Sequence, residues 1–177
     1  AVSGRAEEGL FQYALSRADL RVMRAVLSGM CDIAEDCLVK CLELVLGGAS
    51  KASLDAFVTA CAIEEPMRPV LDHDQVRRDL IDLIMIQPRE HRLLVASLRS
   101  MSLRDTLRFL KYCRSLLHMH ALPALAKKMN KPKGAKTPDM TCVIDWTCAV
   151  LDAHYASLVL APDCRKLLEE LKEIVKS

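Results

Sequence analysis

Apolar residues return every three or four positions along almost the whole chain, and only short polar or Gly/Pro breaks separate the runs. That spacing belongs to helices with one buried face, and no segment replaces it with the two-residue alternation of a strand. The spacing predicts helices over Glu7 to Leu15, Ala18 to Leu27, Ile33 to Leu46, Leu54 to Ile63, Asp74 to Ile86, Arg89 to Leu98, Leu103 to Met119, Asp139 to Leu160 and Asp163 to Val175. Gly29, Gly47-Gly48, Pro66, Pro69, Pro88 and Pro123 punctuate them. Ser16, Asp32, Asp72, Ser102, Asp139 and Asp163 stand where an N-cap oxygen is needed, each just ahead of an apolar run. Consecutive helices with such short links pack as antiparallel hairpins. The expected fold is therefore all-α: an irregular helical bundle or a short α-solenoid of antiparallel helical hairpins. No clean fixed period recurs, so a regular TPR, ankyrin or HEAT array is not expected.

At 177 residues, 51% hydrophobic and only 4% aromatic, the chain has the makings of a core filled by Leu, Val, Ile, Ala, Met and Cys. A chain of this size buries roughly 70% of its unfolded surface, so it needs no metal or disulfide to hold together. One helical domain spanning 1–177 is expected, with sub-bundles 1–65 and 70–177. No apolar run is expected to reach membrane-span length, and the first residues lack the order of a secretory signal, so a soluble intracellular domain follows. Ala1 and the uncapped end at Ser177 read as cuts through a larger protein.

Eight cysteines do not form a recognisable framework. Cys37 and Cys41 are four apart on one helix face, no CxxC occurs, and His118 and His120 are two apart and point to different sides. Reduced, buried thiols in a reducing compartment are the expectation, with no metal and no cofactor.

The formal net charge of +2 hides a divided chain. Residues 89–136 carry twelve Lys and Arg against Glu90 and Asp105, a net +10, which leaves thirteen basic and twenty-one acidic residues elsewhere, a net −8. Arg104, Arg108 and Lys111 fall at i, i+4 and i+7 with Arg114 on the flank, opposite a Leu103, Leu107, Leu110 and Leu117 stripe. Lys127, Lys128, Lys131, Lys133 and Lys136 follow in a Pro- and Gly-containing stretch, 127–137, expected to be an exposed, mobile basic loop. This basic face, 99–136, suits phosphate or an acidic protein partner, although Tyr112 and Phe109 are the only aromatics near it and Phe109 is expected to pack inward.

Catalytic signatures are missing. There is no phosphate loop, serine elbow, HExxH or dinucleotide fingerprint. Asp72-His73-Asp74 sits at a helix start, where aspartate caps backbone N–H groups. Asp152 and His154 lie two apart on a helix, so they cannot form a relay, and His154 on the apolar stripe reads as a core or interface histidine. No enzyme and no small-molecule substrate is expected.

The segment Thr137 to Val175 is the most specific. Ile144-Asp145-Trp146 followed by Leu151-Asp152-Ala153-His154, together with Leu107-Arg108-Phe109-Leu110-Lys111-Tyr112 and Asp32-Ile33-Ala34-Glu35 with Leu38, Cys41 and Leu42, resembles the C-terminal helical domain of the nucleolar protein eleven family. Ala34 departs from it where proline is expected. That family supplies a subunit of the UTP-A (t-UTP) assembly of the small-subunit processome, and sibling subunits carry related C-terminal domains. The resemblance implies a nucleolar, non-enzymatic assembly domain that contacts other propeller-containing UTP-A subunits, supports rDNA transcription and early pre-18S rRNA processing, and has pre-rRNA nearby. The alternative reading is an RNA-contacting helical module. Leu158, Val159 and Leu160, with Met119 and Leu122, are the candidate apolar anchors for such a partner.

Overall fold

In a computed structural model the described residues are 3–30, 32–64, 72–121 and 137–176. All regular structure among them is helical. The helices are α1 Ser3–Arg17, α2 Leu20–Gly29, α3 Glu35–Glu43, α4 Lys51–Glu64, α5 His73–Met85, α6 His91–Leu98, α7 Leu103–Ala121, α8 Met140–Leu160 and α9 Arg165–Lys176. The chain divides into two compact units, Ala1–Pro88 and Arg89–Ser177. Sequence alone suggests a break between 65 and 70, but α5 packs against α2, α3 and α4 and so belongs with the helices before it.

In the first unit, α1 packs on α2 and α3, and α2 on α4 and α5. Its core is mostly aliphatic: Leu20, Met23, Leu27, Leu38, Leu42, Leu80, Ile84 and Met85 are almost fully buried, with Phe11 and Phe57 enclosed among the other core residues. The corner between α1 and α2 turns on Ala18, a left-handed residue with φ 50°. There the Asp19 N–H reaches back to the Ala14 carbonyl at 3.0 Å, closing α1, while the Asp19 carboxylate accepts from the Arg21 and Val22 N–H groups and opens α2. Ser16, expected as that cap, instead donates to the Tyr13 carbonyl. Asp32 does not cap either, because α3 starts after Ala34, whose methyl offers no acceptor. Glu35 and Asp36 supply negative charge to the first turn in its place.

The run expected as one helix from Ile33 to Leu46 widens after Glu43 into a π-turn, Leu44–Gly48, closed by the Ala49 N–H on the Leu44 carbonyl at 2.7 Å. The Arg77 guanidinium donates to the carbonyls of Val45 and Ala49. A cation is thus set against the negative end of α3. Gln87, buried at the end of the unit, donates to the carbonyls of Leu27 at 2.7 Å and Leu83 at 3.0 Å.

The second unit is built around α8, which packs on α6 and α7, while α9 folds back on α7 after a 3-10 turn, Pro162–Cys164. Pro162 opens that turn, as the sequence suggests. Asp163 lies inside the turn, so α9 begins only after it. Asp139 caps α8 through the Cys142 N–H at 2.7 Å, Asp72 caps α5 through the N–H groups of Asp74 and Gln75, and Ser102 receives the Asp105 N–H at the start of α7. Glu90 caps α6 through the Leu93 N–H. Helix α8 also corrects an expectation. It is 21 residues long with a window of mean hydropathy 1.2, long and apolar enough to cross a membrane by length and composition. Its Val143, Trp146, Ala149 and Val150 are fully buried, and it makes its contacts with α6 and α7, so it occupies the place of a core helix.

Candidate interaction surfaces

Helix α7 separates its two faces cleanly. Thr106, Phe109, Leu110, Cys113, Leu116 and Leu117 point inward and are buried. The predicted Leu103 stripe residue stays 38% exposed, one turn too early to reach the core. On the outside, Arg104 and Lys111 are exposed, and Arg108 and Arg114 are half-buried. The last two have local partners: Arg108 Nη1 lies 3.3 Å from Asp105 Oδ1, and Arg114 pairs with Glu170 of α9. Part of the predicted cationic field is therefore neutralised within the unit. Lys127, Lys128, Lys131, Lys133, Lys136 and Leu122 lie outside the described residues.

Helix α8 is pinned from both sides. The Trp146 ring meets Phe109 edge-on, with centroids 5.5 Å apart and planes at 77°. Arg89 stacks its guanidinium over the same indole at 5.5 Å and points Nη2 at the Cys142 carbonyl and at Asp145, both at the long distance of 3.5 Å. His154, buried, hydrogen-bonds the Leu98 carbonyl at 2.8 Å; since a carbonyl can only accept, its Nε2 carries the proton. His120 makes a similar bond to Pro138 at 3.1 Å, fixing the end of α7 against the start of α8 and making the two helices antiparallel. Asp152 faces outward, 3.3 Å from His91 Nε2. Asp152 and His154 thus diverge, as two residues so spaced on a helix must.

A cavity of about 260 Å³ lined by Arg89, His91, Leu94 and Asp145 is smaller than typical small-molecule sites, which start at roughly 300 Å³. Among the described residues no three His, Cys, Asp or Glu side chains converge as metal ligands. Burial pushes the thiols of Cys41 and Cys113 up to about 12, Cys41 with help from neighbouring Cys37. The Cys142 thiol is raised chiefly by burial. Cys148 is exposed, and its thiol is raised first by partial desolvation and then by the carboxylates of Asp152 and Asp145. A raised thiol pKa leaves less thiolate, so none of these four cysteines is activated as a nucleophile.

The apolar anchors sort by geometry. Leu158 is corrected: it is 2% exposed and fills the unit's own core, because it follows Val143, Trp146, Val150 and His154 along the inner stripe of α8. Val159 and Leu160, one and two residues further round the helix, are 58% and 81% exposed. Met119 is half-buried on α7. Tyr155, absent from the sequence candidates, is 69% exposed one turn before Val159 on the same face. Its spacing of four from Val159 was the available signal. Tyr155, Val159 and Leu160 together leave the last turns of α8 apolar on the outside.

Comparison with known proteins then places the chain. The family model of the nucleolar protein 11 C-terminal domain matches residues 1–177. Nucleolar protein 11 of Xenopus laevis is 32% identical over 101 residues, covering 57% of this chain and 14% of that protein. The Bos taurus protein of the same name is 20% identical over 212 aligned positions, covering 96% and 29%, and that of Gallus gallus 24% over 98, covering 55% and 13%. The chain spans less than a third of the curated relatives it matches. None of these three bears the name of an enzyme or of a sibling subunit. With its residues matched from end to end, this chain belongs to the nucleolar protein 11 C-terminal domain family, a nuclear, nucleolar factor.

Proposed function

We propose that this chain is a non-catalytic assembly domain, mediating protein–protein contacts within the UTP-A (t-UTP) complex of the small-subunit processome. Its partners in this reading are the other, propeller-containing UTP-A subunits, and the complex it joins supports rDNA transcription and early pre-18S rRNA processing. The observation that carries the reading is the exposed apolar end of α8, where Tyr155, Val159 and Leu160 stand 69%, 58% and 81% accessible beside a closed core. Scattered exposed apolar residues are ordinary, but here three large ones gather within six positions at one helix end. A tyrosine flanked by aliphatic side chains is a common anchor of protein interfaces.

The test uses this chain as bait in nucleolar extract, with UTP-A subunits identified by mass spectrometry. Tyr155→Ser combined with Leu160→Asp should leave the helical circular dichroism intact and reduce recovery of those subunits by roughly tenfold or more, as expected for loss of interface anchors. Undiminished recovery by the double variant would remove the α8 end from the interface.

A further inference from the structure

We infer that the outer row of α7, Arg104, Arg108 and Lys111 with Ser115 and His118, is a contact surface for the phosphate backbone of structured RNA. This inference is independent of the assembly reading, which rests on the end of α8. The five residues follow one another at spacings of four, three, four and three, so they share one helix face over about 21 Å. Arg104, Lys111, Ser115 and His118 are exposed, and neither Arg104 nor Lys111 is in an ion pair among the described residues. Arg108, half-buried in the same row, is held by Asp105.

Arg114 belongs to the fold instead. Its guanidinium is tied to Glu170 and joins α7 to α9, so its charge is already countered. The structure thus divides the sequence's four α7 cations into two exposed ones outside any ion pair among the described residues, Arg104 and Lys111, one tied to Asp105 within the row, and one that holds the unit together.

The composition of the face favours RNA over an acidic protein. A stable protein interface centres on buried apolar and aromatic anchors and is depleted in charge at its core. This row has none: its exposed members are cations, a hydroxyl and an imidazole, and Leu103 at the helix start is the nearest exposed large apolar side chain on α7. Phosphate contact needs no apolar centre. It is driven by counterion release, and a row of cations tracking one backbone is sufficient.

The test measures binding of a fluorescent RNA hairpin with a duplex stem to the whole 177-residue chain between roughly 50 and 200 mM salt. Arg104→Glu/Lys111→Glu should bind more weakly throughout that range and flatten the slope of log K against log salt by about two, one for each lost phosphate contact. Arg104→Gln/Lys111→Gln should flatten the slope similarly without introducing repulsion, and separates charge loss from misfolding. Lys51→Glu, an exposed site at the start of α4 in the other unit, should match the unaltered chain. The proposal is overturned by absent or salt-independent binding, by unchanged double variants, or by an equal loss in Lys51→Glu. Labelled poly-glutamate bound as tightly as the hairpin would also overturn it, assigning the face to an acidic protein.

Discussion

The two units solve the same packing problem with different side chains. In Ala1–Pro88 the interior is mostly aliphatic, with Phe11 and Phe57 buried and Arg24 over the Phe57 ring, and the polar anchors Arg77 and Gln87 donate to backbone carbonyls freed at a π-turn and at helix ends. In Arg89–Ser177 a single indole is enclosed by Phe109 on one side and Arg89 on the other, and histidines tie α8 to its neighbours. The first unit is specified by volume and by satisfied carbonyls. The second concentrates its directional contacts around one helix. A domain that must present a defined surface benefits from the second design, because fixing the rotation of α8 also fixes which residues face outward.

The largest expected effect tests that contrast directly. Trp146→Ala removes the centre of the second unit and should cost about 3–5 kcal/mol. Hydrogen exchange should show α6 to α9 losing protection while α2 to α5 keep theirs. Simultaneous loss in both units would mean that the two are not energetically separate. In the first unit, Arg77→Met strips the donor from the Val45 and Ala49 carbonyls and should cost about 1–3 kcal/mol, read as a lower chemical midpoint. Here the helices of the second unit should be unaffected.

Alkaline pH should weaken both units for one reason. The thiols of Cys41 and Cys113 ionise near 9 when unfolded and near 12 when folded, so the folded state holds protons that the unfolded state releases. Their contribution is complete below pH ~9 and is lost as pH rises toward ~12, by ~1 kcal/mol per pH unit for each thiol. Cys41→Ala should flatten the alkaline loss in the first unit alone, and melting curves across that window would show it. The smallest effect has the opposite sign. Ala18→Gly should stabilise the first unit by ~1 kcal/mol, because glycine adopts the left-handed corner without the Cβ clash that φ 50° imposes on alanine. An unchanged or lower melting temperature would show that the corner carries no such strain.

Helix order was legible because a 3.6-residue period repeats over ten or more residues, and the caps at Asp72, Ser102 and Asp139 were legible because capping acts within three positions. Asp19 escaped notice because nothing in an alanine announces a left-handed corner. The π-turn and the Gln87 and His154 bonds escaped because their partners are set by packing, 60 and 56 residues away in the last two cases. At the candidate interface the limit was angular. Leu158, Val159 and Leu160 are equally apolar as letters, and only the 100° step of the helix, fixed by Trp146 and His154, turns the first inward and the other two out.

The central claim is that the end of α8 meets a UTP-A partner. Hydrogen–deuterium exchange of this chain, alone and saturated with a purified UTP-A subunit that it retains, addresses it most directly. The account predicts slowed exchange concentrated over residues 155–161. Protection confined to the first unit, with 155–161 unchanged, would contradict it.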